Sequence, residues 1–167
     1  MPDHAEFSLA EYDETIRLVL SGGGEFTIFP KGTSMLPLIV QGRDSVTLEQ
    51  PQGALHRGDI AFYQRENGQY VLHRVIAADG ETYTMCGDNQ LTPEYGVKPE
   101  QIIARAAYVT RNGKKIAPGN PAYRLYTLLW RSFFMVYAAK SVYSFHSSTH
   151  GVLSGENSIS WCFSKLA

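Results

Sequence analysis

Residues 59–77, DIAFYQRENGQYVLHRVIA, decide how the rest of the chain is read. Two apolar, β-branched and aromatic runs, 59–64 and 70–77, flank RENGQ, and its Asn67-Gly68 pair is a strong hairpin-turn signal. Alternation along the second run puts Val71, His73 and Val75 on one face and Leu72, Arg74 and Ile76 on the other. With apolar neighbours on its face, His73 is expected to be at least partly buried. Working outward, Asp79-Gly80 makes another turn before TYTMCG (82–87), and QIIARAAYVTR (101–111) reads as a long strand followed by an Asn112-Gly113 turn. Upstream, EFTIF (25–29) alternates like a strand, and SVTLE (45–49) has strand character. The expectation is a mainly β fold, a curled antiparallel sheet or partial barrel.

Both ends of the chain carry helical patterns instead. Residues 8–20 match a short amphipathic helix, with Ser8 and Glu11 as a capping box and Leu9, Tyr12, Ile16 and Val19 at helical spacing. Gly22–Gly24 ends it. Pro118, Gly119 and Pro121 break the β pattern, and 122–145 is helical and rich in aromatics. The chain thus divides into 1–118, with the N-terminal helix, and 119–167, an appended helix with a Ser-rich tail expected to be loosely ordered. Tyr126, Trp130, Phe133 and Tyr137 recur at helical spacing, a pattern that fits packing against the sheet. It also fits a helix lying in a membrane interface, with Arg124, Arg131 and Lys140 reaching headgroups. Arg131 and Lys140 interrupt the apolar stretch, so a crossing is not expected.

A chain of 167 residues with 44% hydrophobic and 19% charged content has the composition of one globular domain with a substantial core. A net charge of −1 gives no bulk electrostatic footprint for nucleic acid. The acidic start, MPDHAEFSLAEYDE, lacks the basic and apolar regions of a secretory signal, so a cytoplasmic or peripheral membrane location is expected. Cys86 and Cys162 have no metal-type spacing. His146 and His150 are four apart but sit among serines without a carboxylate ligand, so neither metal nor cofactor is expected.

Candidate chemistry begins at KGTSMLPLI (31–39). Gly32, Thr33 and Pro37 bracket one hydroxyl, Ser34, which fits either a helix cap or a nucleophile on a tight turn. A serine attacks only when a base removes its proton, and His73 is the one histidine inside a well-defined strand. Its bland alternative is a core histidine satisfied by a backbone carbonyl. The stretch CGDNQLTPE (86–94) offers Asp88, in a turn, and Glu94 as carboxylates to orient an imidazole. Cys86 fits a core filler better than a thiol nucleophile paired with His73.

Together, G-T-S-M-L-P (32–37), R-G-D-I-A (57–61), L-H-R-V (72–75) and G-D-N (87–89) resemble the ordered boxes of type I signal peptidases and of LexA-type self-cleaving repressors. The resemblance covers residues 25–108, about half the chain. It implies a mainly β peptidase fold with Ser34 as nucleophile. The base is lysine in the bacterial signal peptidases and the repressors. L-H-R-V is instead similar to the archaeal and endoplasmic-reticulum-type enzymes, which use histidine, and a guanidinium such as Arg74 does not lose its proton. In those enzymes the assisting carboxylate follows the G-D-N turn, which slightly favours Glu94 over Asp88. Where signal peptidases usually have S-x-S-M, this chain has Gly32 in place of the first serine. The oxyanion hole must then use backbone amides, including that of Ser34, or the Thr33 hydroxyl. Met35 is expected to pack beneath the turn. Signal peptidases are normally anchored ahead of the serine box, and no such anchor is read here.

The expected activity is a serine endopeptidase that cleaves a signal or leader peptide bound as an extended strand. The alternatives are a LexA-like peptidase cutting itself or a partner, and a silent peptide-binding module on the same fold. The N-terminal helix is too short for a helix-turn-helix, which argues against a repressor.

Overall fold

The computed structural model describes residues 9–130 and Ser132, with side chains from Asp13 onward. Helix α1 (Leu9–Ser21) is followed by strands β1 (Phe26–Ile28), β2 (Asp44–Glu49), β3 (Ile60–Gln64), β4 (Tyr70–Ala78), β5 (Tyr83–Cys86), β6 (Glu94–Val97), β7 (Ile102–Arg111) and β8 (Lys114–Ile116). A second helix, α2, runs through 121–130. All pairings are antiparallel, in the order β1-β2-β7-β3-β4-β5-β6, with β8 added to β7. The fold is therefore mainly β, an eight-stranded sheet that does not close into a barrel.

The 59–77 hairpin forms in the register its turn dictates, pairing Gln64 with Tyr70, Phe62 with Leu72 and Ala61 with His73. Gly68, at φ +83°, closes it by donating its N–H to the Arg65 carbonyl. Two strands go beyond the sequence reading. β6 has two exposed positions, Tyr95 and Gly96, and β8 is Lys-Lys-Ile, so neither carries an apolar alternation of its own. Each forms because its neighbour, β5 or β7, offers an open ladder.

Side chains on the two faces of the hairpin enter two different cores. Phe62 and Leu72 join Ile16 and Leu20 of α1, Met35, Leu38 and Ile39, and Val46 and Leu48 of β2. Ala61, Tyr63, Val71 and Val75 pack instead with Leu55, Tyr83, Met85 and Val97. Burial of a large apolar side chain contributes about 1.5–3 kcal/mol, so Ile16 and Leu20, both fully buried, fasten α1 to the sheet. The capping residue Ser8 lies outside the described residues. The glycines after α1 cap its end, Gly22 and Gly24 donating to the carbonyls of Leu18 and Val19.

Helix α2 packs on the sheet through Tyr123 and Trp130, both buried, while Leu125, Leu128 and Leu129 point outward. No helix of the described residues is long and apolar enough to cross a membrane. Phe133, Tyr137, Lys140, the tail at 146–167 and its His146 and His150 lie outside the described residues.

Candidate active site

Strand β4 is paired on its outer edge only from Arg74 onward, because β5 ends at Cys86, opposite Arg74. Residues 70–73 keep that edge open among the described residues. Between this edge and the turn at 30–35 lies a cleft of about 220 Å³, into which both Ser34 and His73 face, with Met35, Leu72 and Gln90 also in its wall.

The turn carrying Ser34 caps no helix. Leu36 N–H bonds the Thr33 carbonyl and Ile39 N–H bonds the Met35 carbonyl, giving consecutive turns. Met35 sits under them in the larger core, as expected. Gly32 adopts φ +98°, in the region that L side chains rarely enter, although nothing lies within 4 Å of a Cβ built there. The backbone conformation, not crowding, therefore favours glycine at position 32. Its N–H is held by the Gln41 side chain at 2.7 Å. The Ser34 amide, by contrast, has no protein acceptor among the described residues, and Thr33 is exposed.

The G-D-N turn fastens the Ser34 turn from behind. Asn89 donates its backbone N–H to the Ser34 carbonyl (2.8 Å) and its side-chain amide to the Thr33 carbonyl (3.2 Å). Gly87 permits this approach, since an added Cβ would stand 2.6 Å from the Ser34 carbonyl oxygen.

His73 is buried, 4% exposed, and among the described residues its ring bonds no backbone carbonyl. Its Nδ1 lies 3.3 Å from the Tyr63 hydroxyl, which donates to Glu94 Oε2 at 2.8 Å. Because the phenol has spent its single proton on the carboxylate, it can only accept from Nδ1–H. That assigns the tautomer in which Nε2 keeps its lone pair. Glu94 is held in turn by Arg65, through Nε at 2.9 Å and Nη2 at 2.7 Å to Oε2. Burial and then the Arg65 charge lower His73 to about 4, against the opposing pull of Glu94 and Asp88. Burial raises Glu94, but its bonds from Arg65 and Tyr63 outweigh that and hold it below its ordinary value. Burial, and the carboxylate it donates to, push the Tyr63 phenol far up, so it stays protonated.

Asp88 faces a different partner. Arg74, next to His73 but on the opposite face, forms a bidentate ion pair with it, at 2.7 Å to each oxygen, both side chains fully buried. Glu94 thus reaches His73 through one intervening hydroxyl, whereas the Asp88 carboxylate is occupied by Arg74. Cys86 packs with Ile76 and Trp130, and burial and then Asp88 raise its thiol to about 11. No group of three or more His, Cys, Asp or Glu suited to a metal occurs among the described residues.

Tyr63, Arg65 and Gln41 have no part in the sequence-level assignment. For Tyr63 a signal exists: the Asn67-Gly68 register pairs Tyr63 with Val71 and Ala61 with His73, which sets the phenol diagonally beside the imidazole on one face. Comparison with protein-family models finds no match for this chain, and comparison with curated proteins finds none either.

Proposed function

We propose that the chain is a serine endopeptidase of the signal-peptidase type, with Ser34 as nucleophile and His73 as general base. One observation carries the reading: Ser34 and His73 line the same cleft, and the tautomer assigned to His73 leaves Nε2 with a lone pair rather than a proton. The open edge at 70–73 supports an extended peptide as ligand, because its unpaired backbone groups can accept an added strand.

In this mechanism Ser34 Oγ attacks the scissile carbonyl while His73 Nε2 takes its proton. The imidazolium then donates that proton to the leaving amine, and water, activated by the same nitrogen, hydrolyses the acyl-enzyme. Tyr63 and Glu94 hold the imidazole in orientation, the carboxylate acting through the phenol. The free Ser34 N–H is the donor for the developing oxyanion, and no serine at position 32 supplements it. No protein hydrogen bond joins Ser34 Oγ to His73 here, and such bonds tighten when substrate fills the site.

The same reading includes peripheral attachment to a membrane surface by way of α2, whose exposed leucines and Arg124 face outward. The test is cleavage of leader-type peptides by the full chain, followed by mass spectrometry of both peptide and enzyme. Peptide fragments that vanish with Ser34→Ala support the proposal. Fragments of the chain itself point to a LexA-like self-cleaving role, and binding without any cleavage points to a silent peptide-binding module.

A further inference from the structure

Helix α2 touches Arg74, which follows His73, and Asp88, which precedes the residue that holds the Ser34 turn. Asp88, already paired with Arg74, accepts a third carboxylate bond from the Tyr126 hydroxyl at 2.8 Å. Its backbone carbonyl accepts from Trp130 Nε1 at 2.9 Å. The following residue is Asn89, whose N–H and side chain hold the carbonyls of Ser34 and Thr33. On the other side Arg74, which follows His73 in β4, has its guanidinium ringed by Tyr123, Tyr126 and Trp130, with centroids 5.8, 5.9 and 5.5 Å away. Arg74 Nη1 also donates to the Tyr123 hydroxyl at 3.2 Å and to the Gly58 carbonyl at 2.8 Å.

A buried ion pair alone does not fix the place of a turn, because a bidentate pair can move as a unit. Two further donors on one helix restrict that freedom. The hydroxyl fixes the carboxylate from the side and the indole fixes the backbone of the same residue. We propose that Tyr126 and Trp130 are positioning residues of the active site, through which α2 sets the Ser34 turn against His73. This rests on the Ser34–His73 reading. It makes α2 part of the catalytic unit rather than an appendage, with the path Trp130–Asp88–Asn89–Ser34 made entirely of hydrogen bonds and one peptide link.

Tyr126→Phe, Trp130→Phe and the double variant, made in the full chain, test it, since each keeps a ring and removes one donor. Amide exchange at Asn89, whose N–H is bonded to Ser34, is compared with that at Phe62 in β3, well inside the sheet. Exchange at Asn89 should quicken about tenfold in the double variant while Phe62 is unchanged. The value of kcat should fall about fivefold or more with KM within about twofold, and the single variants should fall between. Equal exchange at Asn89 in wild type and double variant overturns the proposal, as does a parallel rise at both amides, the mark of mere packing. The exchange measurement needs no substrate. If it responds while the wild-type chain cuts no peptide, the coupling stands and the peptidase reading falls.

Discussion

Gly87 lies so close to Ser34 that a single added carbon would stand 2.6 Å from the Ser34 carbonyl oxygen and 2.9 Å from Gln90 Oε1. One of these neighbours is a flexible side chain, but the other is backbone that Asn89 already holds. Gly87→Ala should therefore displace the Ser34 turn, cost about 1–3 kcal/mol by overpacking and lower kcat about tenfold. Chemical denaturation and steady-state kinetics on the same preparation check both. An alanine variant with wild-type turnover would remove the link between this contact and the site.

Ser34→Ala and His73→Ala should each reduce cleavage by about 1000-fold or more, and the double variant should be no worse than either alone. Nucleophile and base act as one unit, so their losses do not add. Rates for the three variants on one peptide decide it, and additive losses count against the pairing.

Replacing the two candidate carboxylates should give opposite signatures. Asp88→Asn strips the counter-charge from a fully buried Arg74 and should cost about 3–5 kcal/mol. Glu94→Gln touches a partly exposed pair and should cost within about 1 kcal/mol. Turnover should nevertheless fall in Glu94→Gln, and by about 100-fold in Tyr63→Phe, which removes the only acceptor for His73 Nδ1–H among the described residues. Melting curves paired with kcat separate the two carboxylates. Full turnover in both Glu94→Gln and Tyr63→Phe argues against the relay.

The acid limb of kcat/KM should lie near pH 4 rather than near the ordinary histidine value of 6.5, because burial and Arg65 disfavour the imidazolium. The same shift has a sign in stability. Below pH 6.5 the unfolded chain takes up a proton at this position that the folded chain refuses until about pH 4. Stability is therefore full above 6.5 and falls between 6.5 and 4, by about 3 kcal/mol at most. Urea midpoints across that range should show the slope, and His73→Gln should flatten it.

Flotation with anionic liposomes tests the outer face of α2. Leu125, Leu128 and Leu129 are all more than half exposed there, and Arg124 lies beside them. With Arg131 and Lys140 of the sequence, each basic residue near the surface should contribute about 1 kcal/mol, declining as salt screens it. Binding at low salt that weakens at high salt is the expected result. A chain that stays soluble at low salt leaves this face for the fold or for a protein partner.

Local pattern alone determined the 59–77 hairpin, α1, most strands, and the residue types at Ser34 and His73. Alternation, turn glycines and helical spacing act over a few residues, where sequence neighbours are also neighbours in space. β6 and β8 needed the ladders of β5 and β7, because their own residues carry no strand pattern. The division of labour between the carboxylates was tertiary. Asp88 and Glu94 are six positions apart, yet burial of Arg74 on one face claims the first, and Tyr63, thirty-one residues away, brings the second to His73. The role of 122–145 was open for the same reason: aromatic spacing favours packing against the sheet but also fits a membrane interface. Only the placement of the polar tips of Tyr126 and Trp130 on Asp88 committed the inner face of α2 to the sheet, because a buried hydroxyl or indole N–H must find an acceptor wherever the fold offers one.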